Sequence, residues 1–409
     1  MEINNTLIYF ISRPLTLPTD PLATALPSLD FSVFLSAIFS TSLAEQLKTA
    51  PRSTFLIPHN DAFKRLGMLV TAHLLSSSSK ADLENVIQHH VISGVEYSDA
   101  LVEGSQRTYG TLEGSDLHVE RKKGKSNTTV VLSASGGWTD MHSVLYPQDT
   151  LTQTGVIHQV SDIMIPRSVN LTIGKLMRAA KGSAMISLVT KAGFEWILNG
   201  TAPPDGSVWA GKVLSSAGWT LLCPTDDAFK GLNLTELYSS QELMQAIVAQ
   251  HIIPGQQPSH SPPDNDLFDA FSENRPIAMD DSASYTTLRS AESDSLYAGL
   301  VFRVLEDQGT VVGIRGARGS DGKNDWAHVT AWGRATTGGG FGGVVQIDRL
   351  LMPYYPSWWV EYAGPIAVTV GGVLLIGAFF YGVRAIWKRD TTEATYEPVG
   401  GFGHDEEDE

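Results

Sequence analysis

The chain has 409 residues, which predicts about two or three domains, and its 42% hydrophobic and 18% charged residues exclude a wholly disordered protein. The formal net charge of −15 argues against nucleic acid as a partner, because surfaces that bind nucleic acid are basic. The single cysteine, Cys223, excludes an intrachain disulfide framework and a cysteine-based zinc site.

Residues 1–27 form an N-terminal segment that resembles a weak or incomplete leader. Its apolar run, Leu7 to Ile11, is short for a signal peptide, and Glu2 stands where such peptides carry positive charge. Asn-x-Thr sequons nevertheless favour a lumenal or extracellular location for the bulk of the chain. The sequons predict N-glycosylation at Asn4, Asn127, Asn170, Asn199 and Asn233.

Three blocks of sequence occur twice in the same order, which identifies a tandem duplication. The matching segments are Thr54–Leu66 with Thr220–Leu232, Val86–Gly94 with Ile247–Gly255, and Gly155–Pro166 with Gly342–Pro353. The first block predicts a strand ended by proline and then a helix capped by Asn60-Asp61 or Asp226-Asp227. The second predicts a helix end or strand closed by glycine.

The third block predicts another strand, with Val156, His158 and Val160 on one side and a proline at its end. Each unit therefore places helices upstream of a strand and helix and ends in a strand-rich half. This order of elements predicts an α+β fold.

The blocks resemble the fasciclin domain family, whose hallmarks are a Thr-x-Phe/Leu-x-Pro box followed by Ala-Phe, a central Asn/Gln-His box and a closing strand that ends in proline. The resemblance covers about residues 28–168 and 169–354. It implies two compact α+β domains, each a β-wedge or sandwich flanked by helices. The family positions are Thr54, Pro58, Asp61, Phe63, His90, Gly94, Gly155, Pro166, Thr220, Pro224, Asp227, Phe229, His251, Gly255, Gly342 and Pro353.

The sequence departs from the family pattern at several places. His59 replaces the usual Ser or Thr, which is expected to weaken a local turn hydrogen bond. Thr154 and Phe341 stand where the closing box usually has Asn. The second unit carries a polar insertion around residues 254–294, interpreted either as a surface loop or as a loop that contacts a partner.

Residues 362–383 predict a transmembrane helix, because 22 uncharged residues rise about 33 Å as a helix and a bilayer core is about 30 Å thick. Arg384, Lys388 and Arg389 follow the span and place the C-terminus in the cytosol by the positive-inside rule. Aromatic residues flank both ends, as in membrane-interface belts: Tyr354, Tyr355, Trp358, Trp359, Tyr362, Tyr381 and Trp387.

Residues 384–409 form an acidic tail that is expected to be disordered and cytosolic. Tyr396 to Val399 fits a tyrosine-based sorting signal. Within the span, the pairs Ala367/Gly371 and Ala378/Gly382 could support weak helix-mediated self-association, although a glycine-rich span often contains such pairs without function.

No motif in the sequence predicts catalysis or a cofactor. His118, His142 and His158 lack the spacing of a zinc site, and His90 and His251, at matching repeat positions, are expected to be partly buried and hydrogen-bonded. The glycines of residues 336–343 lead into a strand and not into a helix, which disfavours a phosphate loop and favours a turn. Cys223, Asp226-Asp227 and Asp280-Asp281 are interpreted as structural.

The sequence therefore predicts a non-enzymatic single-pass membrane protein whose two domains bind a protein or glycan on the lumenal or extracellular side. The resemblance implies adhesion, matrix contact or a role at an endomembrane such as the vacuole, as in some fungal fasciclin-domain membrane proteins. Two alternatives remain open: a tail-anchored tether that faces the cytosol, which fits the poor leader, and an enzyme of the secretory pathway.

Overall fold

The computed structural model describes residues 2–3, 6–7, 9–100, 106–123, 128–134, 136–138, 141–207, 218–255, 274–292, 297–307, 309–316, 326–337, 342–355 and 363–390. The chain divides into two units, Met1–Pro353 and Tyr354–Glu409. The predicted sequons at Asn4 and Asn127 and the predicted sorting signal at Tyr396 and Val399 lie outside the described residues.

The larger unit consists of two halves with similar element order. The helices of the first half are α1 (Pro21–Ala25), α2 (Ser32–Ser40), α3 (Ala44–Lys48), α4 (Asn60–Leu66), α5 (Met68–Leu74) and α6 (Lys80–His89). Its strands are β1 (Glu2–Ile3), β2 (Thr6–Leu7), β3 (Ser53–Pro58), β4 (Val91–Ile92), β5 (Gln106–Gly110), β6 (Asp116–Lys123), β7 (Thr128–Ala134), β8 (Ser143–Leu151) and β9 (Gly155–Val160).

The helices of the second half are α7 (Ile173–Ala179), α8 (Ser183–Lys191), α9 (Glu195–Asn199), α10 (Leu234–Ser239), α11 (Gln241–Gln250) and α12 (Leu288–Glu292). Its strands are β10 (Trp219–Pro224), β11 (Ile252–Pro254), β12 (Ser284–Tyr285), β13 (Leu300–Leu305), β14 (Gly309–Ile314), β15 (Ala327–Arg334) and β16 (Gly343–Ile347).

Each half contains a seven-stranded sheet with the same topology. The strand order is β4-β3-β9-β8-β7-β6-β5 in the first and β11-β10-β16-β15-β14-β13-β12 in the second. Among the described strands, β3 with β9 and β10 with β16 are the parallel pairs. Each pairs the first strand of its seven-stranded sheet in chain order with the last. The predicted α+β class is confirmed.

Side chains of the central strands alternate between two faces of each sheet, as the period of a strand requires. In β3, Phe55 and Ile57 face the helices, while Leu56 faces the opposite side. The helix-side core is continuous through both halves, so Ile87 of the first half and Leu176 of the second belong to one cluster. The opposite faces form two separate apolar clusters, one for each sheet.

The predicted helix caps of the first block are wrong. His59 precedes α4, and its Nδ1 accepts a hydrogen bond from the Asp61 N–H at 3.2 Å, so the local turn hydrogen bond is present. Its expected weakening relative to Ser or Thr stays a prediction. Asn60 Oδ1 instead accepts from the Val33 N–H at 3.0 Å, near the start of α2. Because these contacts are distant in sequence, the local pattern pointed to the wrong helix.

The second copy of this box differs from the first. Asp226 to Phe229 form a single 3-10 turn, where the pattern predicted an α-helix. Asp226 Oδ1 accepts from the Ala184 N–H at 2.9 Å and satisfies the first turn of α8. Asn60 and Asp226 therefore have the same role, because each side chain accepts a hydrogen bond from a backbone N–H at the start of an earlier helix.

The insertion of the second half is a surface loop only in part, so the loop interpretation is corrected. Residues 256–273 lie outside the described residues, but the segment that follows them contributes to the core. Met279 and Leu288 are buried, and buried Arg289 donates to Gln250 Oε1 at 3.1 Å. The run Ile277-Ala278-Met279 is too short to show a helical or strand period, and Leu288 stands between Thr287 and Arg289, so periodicity did not predict their burial.

The second unit contains α13 (Gly364–Asp390). Its segment Ile366–Lys388 has a mean hydropathy of 2.2 and no buried part, and it is long enough to cross a membrane. The predicted span ended at Val383, but α13 continues through the basic residues that follow and ends at Asp390.

Candidate functional site

The central box of each half is built around a fully buried histidine that joins a helix to the closing strand segment. The Nδ1–H of His90 donates to the Val86 carbonyl at 2.7 Å, and Nε2 accepts from the Met164 N–H at 3.2 Å. His251 repeats this arrangement with the Ile247 carbonyl at 2.8 Å and the Leu351 N–H at 3.1 Å. Both ring nitrogens are therefore used, and the site is a structural staple rather than a place for a ligand.

Burial keeps these imidazoles neutral. It lowers the pKa of His90 to about 3 and that of His251 to about 4, because a charged ring would lose its hydration. The neighbouring His89 is also buried, and burial lowers its pKa to about 4 against the opposing pull of Glu113. Within the described residues, no group of three or more His, Cys, Asp or Glu side chains could hold a metal ion.

The glycines of the closing box occur where two parallel strands approach closely. A Cβ at Gly155 would lie 1.8 Å from the Ser53 carbonyl oxygen. A Cβ at Gly342 would lie 2.3 Å from the Trp219 carbonyl oxygen, and this residue has a φ of +103°. Neither position can hold a side chain without separating the strands.

The other family positions are also structural. Thr54 Oγ1 donates to the Gly94 carbonyl at 2.8 Å and accepts from the Glu96 N–H at 2.9 Å, while the matching Thr220 Oγ1 is buried without a partner among the described residues. Phe63 and Phe229 are buried in the helix-side core. Asp61 and Asp227 form exposed ion pairs with lysines three residues later. Pro58, Pro224 and Gly255 stand at or next to strand ends. Pro166 and Pro353 instead follow the last residues of β9 and β16 by six residues, so the prediction that proline ends the closing strand is wrong.

A small cleft of about 20 Å³ opens on the face of the first sheet that lies opposite the helices. Its lining is mostly apolar and comes from Leu56, Ile92, Val119, Leu132 and Leu145. Tyr109 and His158 add polar groups to this lining. Sequence reasoning placed His158 correctly on a strand but did not identify a cleft, because residues of seven strands come together to form it.

Two polar atoms of the lining, His158 Nδ1 and the Tyr109 hydroxyl oxygen, are buried without a hydrogen-bond partner among the described residues. His158 is 2% exposed, and its Nε2–H donates to the Glu96 carbonyl at 2.9 Å, which leaves Nδ1 as an unpaired acceptor. The Tyr109 hydroxyl has no partner at regular hydrogen-bond geometry, although the side chains of Arg107 and Glu96 lie close enough to interact with it. Burial raises the pKa of Tyr109.

The edge of the cleft is held by hydrogen bonds. Ser98 N–H donates to Asp149 Oδ1 at 2.9 Å across the edge, and the Ser98 hydroxyl donates to the same carboxylate. Burial pushes the pKa of Asp149 upward, but the bonds from Ser98 outweigh it and leave the pKa below its ordinary value. Asp149 has a φ of +45° inside the irregular stretch of β8, where the ladder register shifts between Tyr146 and Thr150.

The same positions can be followed into the second sheet through ladder register. The closing blocks align Val160 with Ile347, and each further step crosses one ladder. The equivalent pairs traced in this way are Val160 with Ile347, Leu145 with Val329, Leu132 with Val312, Val119 with Phe302, and Tyr109 with Tyr285. In the parallel ladders, His158 pairs with Leu56 and Val345 with Leu222, so Val345 is the counterpart of His158.

The second sheet fills the space that the first leaves open. Phe302 is fully buried, and its ring meets the Tyr285 ring edge to face at 5.8 Å and 88°. The Tyr285 hydroxyl donates to the Ala278 carbonyl at 2.7 Å. Met279, 2% exposed, joins the same cluster. This face is therefore an apolar core in which the Tyr285 hydroxyl is satisfied.

The two halves are joined by polar contacts as well as by their common core. Trp138 Nε1–H donates to the Ala335 carbonyl at 2.9 Å. Lys175 donates to Asp82 Oδ2 at 2.7 Å, and His73 lies 2.8 Å from the same oxygen. Burial pushes the pKa of Asp82 upward, but the bonds from Lys175 and His73 outweigh it and leave the pKa below its ordinary value.

The remaining predicted sites occupy ordinary positions. The described sequon asparagines, Asn170, Asn199 and Asn233, are exposed. Cys223 is fully buried, and burial raises its pKa to about 12, so its thiol is not a nucleophile. Part of the glycine-rich segment, residues 338–341, lies outside the described residues, and the rest connects β15 to β16.

Comparison with known proteins gives a consistent picture. The sequence matches the fasciclin domain family over residues 29–166 and 181–353. It is 30% identical over 169 residues to a fasciclin-like arabinogalactan protein of Arthroderma benhamiae, a match that covers 41% of this chain and 35% of that protein. The tandem pair of domains suggested by the repeated blocks is confirmed.

Two animal proteins are also similar. Human periostin is 23% identical over 224 residues, covering 55% of this chain and 23% of periostin. The pig transforming growth factor-beta-induced protein ig-h3 is 22% identical over 227 residues, covering 55% of this chain and 29% of that protein. The matches thus span about a quarter to a third of these relatives. A solved FAS1 domain pair from the insect cell adhesion molecule fasciclin I covers 79% of this chain and 97% of its own, with 15% identity and a TM-score of 0.30.

Proposed function

Because the chain belongs to the fasciclin domain family, we propose that it is a non-enzymatic binding protein that uses its two domains for adhesion at a membrane surface. The family match over both halves carries this proposal. A role in adhesion or matrix contact is the family's usual one, and it needs a folded surface rather than a reactive group. The buried Cys223 and the fully engaged His90 and His251 agree with such a role.

The construction of the larger unit supports a stiff binding module. Its helix-side core runs through both halves, and Trp138, Lys175 and Asp82 add polar contacts between them. A stiff pair presents its surfaces at a fixed spacing, so that many copies on one membrane can combine weak contacts. The partner would be a protein or glycan on the lumenal or extracellular side.

The proposed anchor is α13, with the tail in the cytosol. A helix with unburied apolar side chains along its whole length suits a bilayer better than water. The basic residues Arg384 and Lys388 at its C-terminal end give the orientation by the positive-inside rule. The cell surface and an endomembrane such as the vacuole both satisfy this arrangement.

Topology is the first test. The full chain with a C-terminal tag is expressed in cells, and sealed membranes are treated with protease and then with a glycosidase. We expect a protected, glycosylated fragment and loss of the tag. The triple variant N170Q/N199Q/N233Q should lose most of the glycan mass shift while remaining protected. Digestion of the unglycosylated domains would instead support a tether that faces the cytosol.

Adhesion is tested separately with the full chain in lipid vesicles. Vesicles that carry the protein should cluster with each other or bind to cell-wall or matrix material, and protein-free vesicles of the same lipids should not. Clustering should also rise steeply with the number of copies per vesicle, because the proposal depends on many weak contacts. Vesicles that remain dispersed and unbound at every density would contradict the adhesive role.

A further inference from the structure

The most exposed apolar side chains of the larger unit are concentrated near its start. Among its described residues, the large apolar side chains that are at least 59% exposed all lie in residues 9–29. They are Tyr9, Phe10, Ile11, Leu15, Leu17, Leu26 and Leu29. The next most exposed, Leu151, reaches 55%. Exposure on this scale within one short segment marks a surface that meets a partner, because single apolar residues on a protein surface are otherwise scattered.

The backbone of this segment is irregular and is fixed at one end. Residues 9–19 form neither a helix nor a strand, and Pro14 and Pro18 prevent a continuous helix. The Thr19 carbonyl accepts a hydrogen bond from the Gln153 N–H, between β8 and β9, at 2.8 Å. The segment therefore extends from a fixed point on the first half and presents its side chains to the surroundings.

The charge of the segment differs from that of the whole chain. Residues 3–19 contain no Asp or Glu and one basic residue, Arg13, whereas the chain has 44 acidic residues and a net charge of −15. Aromatic rings are typical of the headgroup level of a bilayer, and basic side chains are attracted to anionic lipids. An apolar segment that carries Tyr9, Phe10 and a single positive charge therefore matches the boundary between lipid and water.

We propose that residues 9–17 bind the surface of a lipid bilayer, with their apolar side chains among the acyl chains and Arg13 at the headgroups. The depth of this contact follows from the backbone. Its N–H and C=O groups are not paired in a helix or a ladder, so the segment can enter the interface but cannot cross the hydrocarbon core. The contact is thus of a different kind from α13, which is long enough to span a membrane.

The inference rests on the proposed anchoring by α13. A few apolar side chains give weak and reversible membrane binding, as a single acyl chain does. Because α13 would hold the chain at the membrane, the segment needs only a weak affinity to remain in contact with lipid. A second copy of this chain is a poorer partner, since two chains with a net charge of −15 repel each other.

The test places a nitroxide label on S12C, in the middle of the segment, in the full chain reconstituted into nanodiscs of phosphatidylcholine and phosphatidylserine. Cys223 is fully buried and its thiol is protonated, so it does not take the label. Electron paramagnetic resonance compares collisions with oxygen, which concentrates in lipid, and with a nickel complex that stays in water. The control is S239C, at an exposed position at the end of α10. We expect a higher oxygen-to-nickel ratio at S12C, and equal ratios would overturn the proposal.

Variants of the segment test which side chains make the contact. Y9S/F10S/L15S/L17S removes side chains that lie outside the apolar clusters of the larger unit, so the protein should fold normally, as checked by circular dichroism. It should lower the ratio at S12C to that of the control. R13E should lower the ratio more with phosphatidylserine present than in phosphatidylcholine alone. An undiminished ratio in the folded quadruple variant would overturn the proposal.

Alkaline extraction of vesicles that carry the full chain tests α13 separately. Release of the protein contradicts the proposed anchor, whereas a retained protein with a water-exposed label at S12C contradicts the segment contact alone. A label shielded from both oxygen and nickel and broadened by a second label would identify another copy as the partner and overturn the proposal. A mature chain from cells that begins after Leu17 would identify a removed leader and would also overturn it.

Discussion

The two sheets of the larger unit share one topology, yet their outer faces are packed differently. In the second sheet, Phe302 fills the face, and the Tyr285 hydroxyl is satisfied by a backbone carbonyl at 2.7 Å. In the first sheet, Val119 stands in place of Phe302, and a small cleft of about 20 Å³ has His158 Nδ1 and the Tyr109 hydroxyl in its lining. The two faces thus differ by two side-chain replacements and one carbonyl contact.

The scaffold behind these faces has changed much less. His90 and His251 join the same elements with hydrogen bonds that agree within 0.1 Å, at 2.7 and 2.8 Å to the helix carbonyl and at 3.2 and 3.1 Å from the closing segment. Duplicated domains can diverge on a face that carries no staple, because a change there disturbs neither the helix-side core nor the parallel strands. The comparison is therefore testable residue by residue.

Acidification gives the largest expected effect and differs between the halves. Burial places the pKa of His89 and His251 at about 4 and that of His90 at about 3, below the ordinary value of 6.5, so the unfolded chain binds more protons as the pH falls. The contribution of each buried histidine to the free energy of unfolding is fully present above pH 6.5. Below that pH it falls by about 1.4 kcal/mol for each pH unit. At pH 5 the loss is about 2 kcal/mol each, with two of these residues in the first half.

Denaturant unfolding of the full chain in detergent at pH 7 and pH 5 measures this loss, and hydrogen exchange reports it for each half. The variant H142Q is the control, because His142 is exposed and its replacement should leave the pH dependence unchanged. Equal free energies of unfolding at the two pH values would refute the neutral, buried state of the histidines.

Truncation of the paired positions comes next in size. F302A removes a fully buried ring and should cost about 3–5 kcal/mol, the usual range for Phe to Ala in a core. V119A removes two methyl groups beside an open cleft and should cost only about 1–2 kcal/mol. Thermal and denaturant unfolding of both variants measures the difference. Similar costs would mean that the first face is packed as tightly as the second.

Removal of either staple should show where the halves are alike. H90A leaves the Val86 carbonyl and the Met164 N–H unpaired, and H251A leaves the Ile247 carbonyl and the Leu351 N–H unpaired. Each variant should lose about 2–4 kcal/mol and part of the pH dependence. H118A, which removes a half-buried ring on β6, should cost less than about 1 kcal/mol. A cost in only one half would contradict the equivalence of the staples.

Much of this fold could be predicted from sequence, because its signals are local. The proline of the first repeated block ends a strand in each half, and the helix-ending histidines recur at the same repeat position, whereas the prolines of the closing block stand six residues beyond β9 and β16. The cleft could not be predicted, since Tyr109, Val119 and His158 come from three strands that only the ladder register aligns. Asn60 and Asp226 were assigned to the wrong helices for the same reason, as their partners are 27 and 42 residues away.

The smallest expected effect is the most specific, because its sign differs between the two faces. Y285F deletes a hydroxyl that donates to the Ala278 carbonyl at 2.7 Å and should destabilise the protein by about 1 kcal/mol. Y109F deletes a buried hydroxyl with no partner among the described residues and should be neutral or stabilising by up to about 1 kcal/mol. Both changes keep the ring, so packing is matched. Denaturant unfolding of the two variants in parallel decides the matter: destabilisation of Y109F comparable to that of Y285F would mean that the hydroxyl of Tyr109 is already satisfied.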